Sequence, residues 1–386
     1  MQLLGGLSAD EFLQEYWQKK PLLSRQAIPG FTTPLSPDEL AGLACEDEVE
    51  SRRILEKDAA TPWQLEHGPF TAARFSQLPA SHWTLLIQKA NQLIPELAEL
   101  LDRFNFIPNW RIDDVMVSYA PESGSVGPHV DQYDVFLLQG LGTRRWQINT
   151  DDSSQIPLLK NTPLQILQEF TPEQDWLLEP GDMLYLPPNV AHYGVAQEDC
   201  MTFSIGFRAP RFSELLTAWT DDHAPQLPDQ LHYQDPELQV ATHNGEIATS
   251  ALEKVRAIVR QQYVDDRDIN RWFGQYITEP PAGQLLSEAE SQLNREQFRS
   301  SLGKYSELWR SEFSRFAFIR DDNVVRLYVD GQEFELETEH LELVALLCDQ
   351  RRYKTDDMQT HLTASETFEL LTALYNMGAV EFPDNV

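Results

Sequence analysis

The chain has 386 residues, 41% of them hydrophobic, which is enough for folded cores and too long for one ordinary domain. Its 61 acidic residues against 30 basic ones leave a formal charge of -31, a surface that repels nucleic-acid phosphates and anionic lipid and attracts basic partners. Cys45, Cys200 and Cys348 form no CxxC pair, no run approaches the ~20 apolar residues of a membrane span, and Met1–Leu7 lacks an export-signal pattern, so a reducing, cytoplasmic setting is expected.

Residues 1–100 read as mixed helix and loop. Phe12, Leu13, Tyr16 and Trp17 recur at helical spacing between Ser8 and Gln18, and Lys19-Lys20-Pro21 closes the run. From Asp113 to Arg208 the pattern turns to short β-rich runs punctuated by Gly and Pro. Strands are expected at Val115–Tyr119, Tyr133–Gln139, Arg144–Ile148, Trp176–Leu178, Met183–Leu186, Ala191–Val195 and Met201–Phe207. Seven such strands suggest a β-barrel or jelly roll.

After Pro210 the chain becomes helical. Leu252, Val255, Ile258 and Val259 share one face, and Ile269, Trp272, Phe273, Tyr276 and Ile277 form a broad apolar stripe. Either the rest of the chain or a second subunit covers them. Thr278–Gly283 reads as a linker. Beyond it, Arg315–Arg320, Val324–Val329 and Glu333–Leu336 suggest a small antiparallel sheet with an Asp330-Gly331 turn. Helices follow at Glu339–Leu347, Thr355–Leu362 and Glu366–Asn376, the last with a capping box from Thr363 to Glu366. A small sheet with three short helices fits a winged-helix-like domain.

The segment that carries chemistry is Gly127-Pro128-His129-Val130-Asp131. On a strand, residues i and i+2 point the same way, so His129 and Asp131 can grip one ion. His192, framed by Gly181 and Pro187 in a turn–strand–turn unit, supplies a third ligand. Two imidazoles and one carboxylate on one side of an ion leave three positions open, the facial triad of non-haem iron(II) oxygenases. The chain offers its own control: His340 and Glu342 form another HxE, but on a helix they lie roughly 200° apart at ~100° per residue and cannot chelate together.

An oxygenase using 2-oxoglutarate must neutralise the far carboxylate of that co-substrate inside the barrel, which arginine does best through two parallel hydrogen bonds. Arg144 and Arg145 are adjacent on one strand, so they face opposite sides. Arg144 shares its face with Trp146 and is expected inward. Ser118, on the face of Met116, either donates a second hydrogen bond to that carboxylate or plays no part in it.

Read together, Tyr16-Trp17-Gln18-Lys19-Lys20-Pro21-Leu22, Gly127 to Phe136, Arg144-Arg145-Trp146, Glu179-Pro180-Gly181-Asp182, Tyr185-Leu186-Pro187-Pro188, His192 and Ser204 to Pro210 resemble the Jumonji-C-type ribosomal oxygenases, in particular their bacterial arginine hydroxylases. The resemblance implies an α+β protein with a double-stranded β-helix (jelly-roll, cupin) catalytic domain over residues 1–210. It also implies a helical dimerisation region at 211–284, hence a homodimer, and a winged-helix-like domain at 285–386. It assigns Fe2+ to His129, Asp131 and His192, and 2-oxoglutarate to Arg144 and Ser118, with O2 as co-substrate. The substrate it implies is an arginine in a basic large-subunit ribosomal protein. Glu122 stands where those hydroxylases carry an aspartate, and just before His129 it is expected as a lip over the metal that holds a guanidinium.

Three other readings compete. A protein N-methyl demethylase uses the same chemistry. A cupin holding zinc or manganese, acting as a binding protein or isomerase, keeps the fold but needs no buried arginine. A nucleic-acid-binding regulator is disfavoured because Glu366 and Glu369 make the last helix acidic, so no direct nucleic-acid contact is expected.

Overall fold

Eight strands between Ile112 and Phe207, one more than expected, frame the first unit, Met1–Ala209, of a computed structural model. The structure describes residues 1–383 apart from 57–62, 153–155, 241–246, 262–265, 282–288, 290, 322 and 363. The proposed cap Thr363 and the Ala282-Gly283 end of the expected linker lie outside the described residues.

Helix α1 (Ala9–Glu15) begins at Ser8, whose hydroxyl accepts from the Glu11 N–H while the Glu11 carboxylate accepts from the Ser8 N–H at 2.8 Å. Helix α2 (Pro37–Leu43) starts with the same reciprocal box between Ser36 and Glu39. Two orphan donors are satisfied at each start. Helices α3 (Ala72–Phe75) and α4 (Pro95–Leu101) are the other α-helices among the described residues of this unit.

The region expected to be helix and loop also holds four strands: β1 (Leu22–Ser24), β2 (Ser51–Glu56), β3 (Trp63–His67) and β4 (Trp83–Ile87). Charge hid β2. Its Arg53 is buried, pairs with Glu66 directly across on β3, and lies over the Phe70 ring at 5.1 Å.

The remaining strands are β5 (Ile112–Ala120), β6 (His129–Val130), β7 (Val135–Leu141), β8 (Arg144–Asn149), β9 (Gln174–Leu178), β10 (Met183–Leu186), β11 (Ala191–Ala196) and β12 (Cys200–Phe207). They form an eight-stranded sheet in the order β1-β10-β7-β12-β5-β4-β2-β3 and a four-stranded sheet β6-β11-β8-β9, the two walls of a jelly roll. Every residue of β7 from Val135 to Gly140 is buried because both its faces are covered. Phe136 and Leu138 join Phe12, Phe104, Tyr185, Phe203 and Phe207 in the larger core. Val135 and Leu137 face the barrel interior with Trp146, Ile148, Leu178, Leu184 and Leu186. Truncating Phe136, fully buried, should cost about 3–5 kcal/mol of stability.

The second unit, Pro210–Val386, opens with α5 (Phe212–His223), α6 (Thr249–Gln261) and α7 (Asp266–Thr278). On α7, Gly274 lies so near the Tyr328 ring that an added Cβ would meet it at 2.4 Å, and Trp272 packs edge-on to Trp219 at 5.5 Å. The α7 stripe is therefore closed by its own chain. The α6 face is not: Leu252, Val255, Ile258 and Val259 remain exposed. Beyond lie α8 (Arg295–Leu302), β13 (Glu307–Arg310), β14 (Phe316–Arg320), β15 (Val324–Val329), β16 (Gln332–Glu337), α9 (Leu341–Asp349), β17 (Arg352–Lys354), α10 (Thr355–Met358), α11 (Ser365–Asn376) and β18 (Val380–Glu381). The expected sheet is β14-β15-β16, and Asp330 and Gly331 both take positive φ, 50° and 81°, in its second turn. A second sheet, β17-β13-β18, was not legible in short charged segments.

Candidate metal centre

Strand β6 pairs with β11 so that His129 stands directly opposite His192, and opposed residues point to the same side. Their rings come within 4.2 Å between centroids. Asp131, just past β6, turns back between them: its Oδ2 is 3.6 Å from His192 Nε2 and 3.9 Å from His129 Nε2. These separations are no wider than two metal–ligand bonds of ~2.1 Å, so one ion can touch all three.

The tautomers are arranged by the backbone. His129 Nδ1 lies 2.9 Å from the Gly127 carbonyl and His192 Nδ1 2.9 Å from that of Val190. A carbonyl only accepts, so each Nδ1 carries the proton and each Nε2 presents a lone pair to the centre. Burial, with His129 beside it, pulls His192 down to about 4, so its imidazole is neutral near pH 7. Among the described residues one other group has ligand spacing, Glu339, His340 and Glu366. Two of its members, Glu339 and Glu366, are exposed and lie at or near the N-terminal ends of α9 and α11, where helix dipoles favour anions by themselves. Glu342 is not part of it, as helical spacing requires.

Strand alternation separates the two arginines. Arg144 is buried at 2% exposure, whereas Arg145 is exposed and pairs with Asp175 at 3.1 Å. The Arg144 guanidinium donates from Nη2 to the Gly194 carbonyl at 3.2 Å and lies 5.1 Å from the Trp146 ring. Its Nε and Nη1 have no hydrogen-bond partner, and no carboxylate pairs with it among the described residues. Burial pulls its pKa down, against the opposing influence of the Cys200 thiol. A buried cation with two idle donors is costly unless an anion completes it.

Ser118 sits in the same interior, one member of a row across three strands. Its hydroxyl donates to the Thr202 carbonyl at 3.4 Å, Thr202 Oγ1 donates to Gln139 Oε1 at 3.0 Å, and Gln139 Nε2 donates to the Leu141 and Gly142 carbonyls.

Glu122 is not brought to the triad. It is exposed on the turn after β5, and the chain then runs back along β11, with Ser123 N–H donating to the Ala196 carbonyl. Ala196 lies four positions from His192, about 13 Å along the strand. A second carboxylate, not singled out in the sequence, is linked to the triad through Tyr133. Asp114, on β5 with the same parity as Met116 and Ser118, accepts from the Lys89 N–H at 2.7 Å, and its Oδ1 faces the bare backbone of Gly206 at 3.5 Å from where a Cβ would stand. Burial pushes its carboxyl up to about 6. Tyr133 joins it: the ring edge is exposed, while the hydroxyl, raised by burial, turns toward Asp131 with Arg52 and Asp114 nearby. The spacing Asp-x-Met in a strand carried a weak hint, but nothing local linked it to Tyr133.

Comparison with known proteins came to the same architecture. The family model for the JmjC domain matches residues 99–215, that for a ROXA-like winged helix matches 259–381, and one for an AraC-like ligand binding domain overlaps 171–302. The chain is 32% identical over 375 residues to the ribosomal protein uL16 3-hydroxylase of Escherichia coli, covering 96% of this chain and 97% of that one. It is 31% identical over 334 residues to the "Probable ribosomal oxygenase" of Haemophilus influenzae, covering 84% and 82%. Among solved structures, the Escherichia coli ribosomal oxygenase YcfD superposes with a TM-score of 0.85 at 31% identity, over 98% of both chains. A complex of that oxygenase with cobalt and 2-oxoglutarate gives 0.84 at 31% identity, over 98% of this chain and 99% of that one.

Proposed function

The chain belongs to the Jumonji-C-type ribosomal oxygenase family, and from that premise we propose that it is an iron(II)- and 2-oxoglutarate-dependent hydroxylase of an arginine in a basic large-subunit ribosomal protein. The observation that carries the reading is Arg144: a buried guanidinium with two unpartnered donors, on the inner face that also bears His192, is half of an ion pair whose other half is a small dicarboxylate. A zinc or manganese cupin has no use for it.

His129, Asp131 and His192 would hold the metal through two Nε2 atoms and one carboxylate oxygen, leaving the opposite side open. Bound iron with 2-oxoglutarate and O2 supplies the oxidising power to convert a C–H bond to C–OH while 2-oxoglutarate becomes succinate and CO2. This chain's own part is position and dryness. Arg144 takes the far carboxylate as a planar fork, and Ser118 adds a hydroxyl from the other wall. The relative's solved complex with cobalt and 2-oxoglutarate supports the co-substrate, and its name supports ribosomal protein uL16 as the substrate.

For the target side chain, the acidic surface favours a basic protein and Asp114 favours a guanidinium. A carboxylate held up to about 6 by burial gains most from a cation that forks onto it; Met116 shares its strand face and the Tyr133 hydroxyl lies nearby. Glu122, exposed on the turn after β5, would meet the same substrate farther from the metal. The exposed α6 face, with Phe212 and Leu216 on α5 also uncovered, suits a second copy of the chain, giving a homodimer. Aerobic conversion of 2-oxoglutarate to succinate in the presence of iron and ascorbate tests the reading. Turnover in wild type that is lost in Asp131→Ala supports it, and no turnover in wild type refutes it.

A further inference from the structure

We infer that Gly194 determines which 2-oxo acid the pocket accepts, by setting how closely Arg144 approaches the triad; this rests on the co-substrate reading above. Arg144 is rooted opposite Ala196, yet its Nη2 reaches the carbonyl of Gly194, one inward-facing position nearer the metal ligands. His192 and Gly194 are two residues apart on β11, about 6.6 Å at ~3.3 Å per residue. A five-carbon acid held at its C1 and C2 oxygens by the metal would extend its C5 carboxylate along that direction toward Arg144. A chain shorter or longer by one methylene misses it by about 1.3 Å, from C–C bonds of ~1.5 Å.

The approach depends on an absent side chain. A Cβ at Gly194 would stand 2.6 Å from the Trp146 ring and 2.8 Å from Arg144 Nε, and both neighbours are themselves buried. Gly194 has no left-handed φ, so its backbone does not demand glycine; the space does. An alanine must push Arg144 back toward Ala196, lengthening the pocket and turning Nε, one of the two idle donors, away from the ligand.

The test titrates full-length wild type and Gly194→Ala, loaded with manganese(II) under anaerobic conditions, with 2-oxoglutarate and with its six-carbon homologue 2-oxoadipate, by calorimetry. Circular dichroism checks the fold. Gly194→Ala should weaken 2-oxoglutarate by roughly ten- to hundredfold, the worth of one charge-assisted hydrogen bond. It should weaken 2-oxoadipate much less, narrowing or reversing the preference. In steady state, KM for 2-oxoglutarate should rise more than kcat falls. Unchanged affinity, or equal loss for both acids, overturns the inference. If the single variant does not fold, Trp146→Leu with Gly194→Ala removes the ring clash and leaves the Arg144 contact. The same change of preference is expected there, and wild-type preference in that double variant overturns the proposal. Wild type that binds no 2-oxoglutarate with metal removes the co-substrate reading itself, a separate and earlier failure.

Discussion

Asp114→Asn should stabilise the resting protein and impair its work on a substrate. Burial raises the Asp114 carboxyl from its ordinary 3.8 to about 6, with Asp113 and Glu50 adding to the rise and Lys89 opposing it. A folded-state value above the unfolded one means the neutral form is favoured by folding. That contribution is complete below about pH 4 and is lost as the pH rises through about 6. At pH 7.5 the ionised carboxylate therefore costs up to about 3 kcal/mol, from about two units at ~1.36 kcal/mol each. Asparagine keeps an oxygen for the Lys89 N–H and carries no charge, so most of this cost disappears. Thermal unfolding at pH 7.5 should shift upward by several degrees, about 2–4 °C per kcal/mol for a unit of this size. The gain should shrink steadily as the pH is lowered toward 5. In a peptide assay the same change should reduce kcat/KM roughly ten- to hundredfold, since a guanidinium loses its charged partner. A variant that is less stable than wild type at pH 7.5 refutes the burial reasoning. Unimpaired peptide turnover removes Asp114 as guanidinium partner and leaves Glu122, tested by Glu122→Gln.

Arg144→Ala should raise the 2-oxoglutarate requirement by the equivalent of about 2–5 kcal/mol, as when one side of a buried charge pair is lost. Arg145→Ala, which breaks only the exposed pair with Asp175, should change it little, and equal effects in a titration of 2-oxoglutarate would sink the assignment. Val255→Asp with Ile258→Asp should turn dimers into monomers in sedimentation at micromolar concentration; a wild-type monomer refutes the proposed interface.

The triad was legible because it is local chemistry on alternating strands: His129 and Asp131 two apart, His192 in its own Gly/Pro frame, Arg144 inward by parity. The Asp330-Gly331 hairpin was legible for a similar reason, since both residues take the positive φ its turn needs. What escaped depends on pairing between distant segments. β2 carries Arg52-Arg53, and a buried arginine is tolerated there because Glu66 pairs with Arg53 from directly across on β3. Glu122 is seven residues from His129 in the chain, but the return path along β11 carries it away from the metal end. Asp114 and Tyr133 meet only through the register of the folded barrel, and the room that Gly194 leaves for Arg144 is invisible until β8 lies beside β11. An apolar helical stripe likewise does not name its cover: the one on α7 is closed by Trp219 and Tyr328, the one on α6 is open.

The most direct measurement is the intact mass of native large-subunit ribosomal proteins after incubation with the protein, iron(II), 2-oxoglutarate and air. One basic protein should gain a single oxygen, about 16 Da, the hydroxyl oxygen left by this chemistry. Fragmentation should map the gain to an arginine side chain, and Asp131→Ala should give none. A gain that survives Asp131→Ala, a gain on a residue other than arginine, or active 2-oxoglutarate turnover with no ribosomal protein modified would contradict the account.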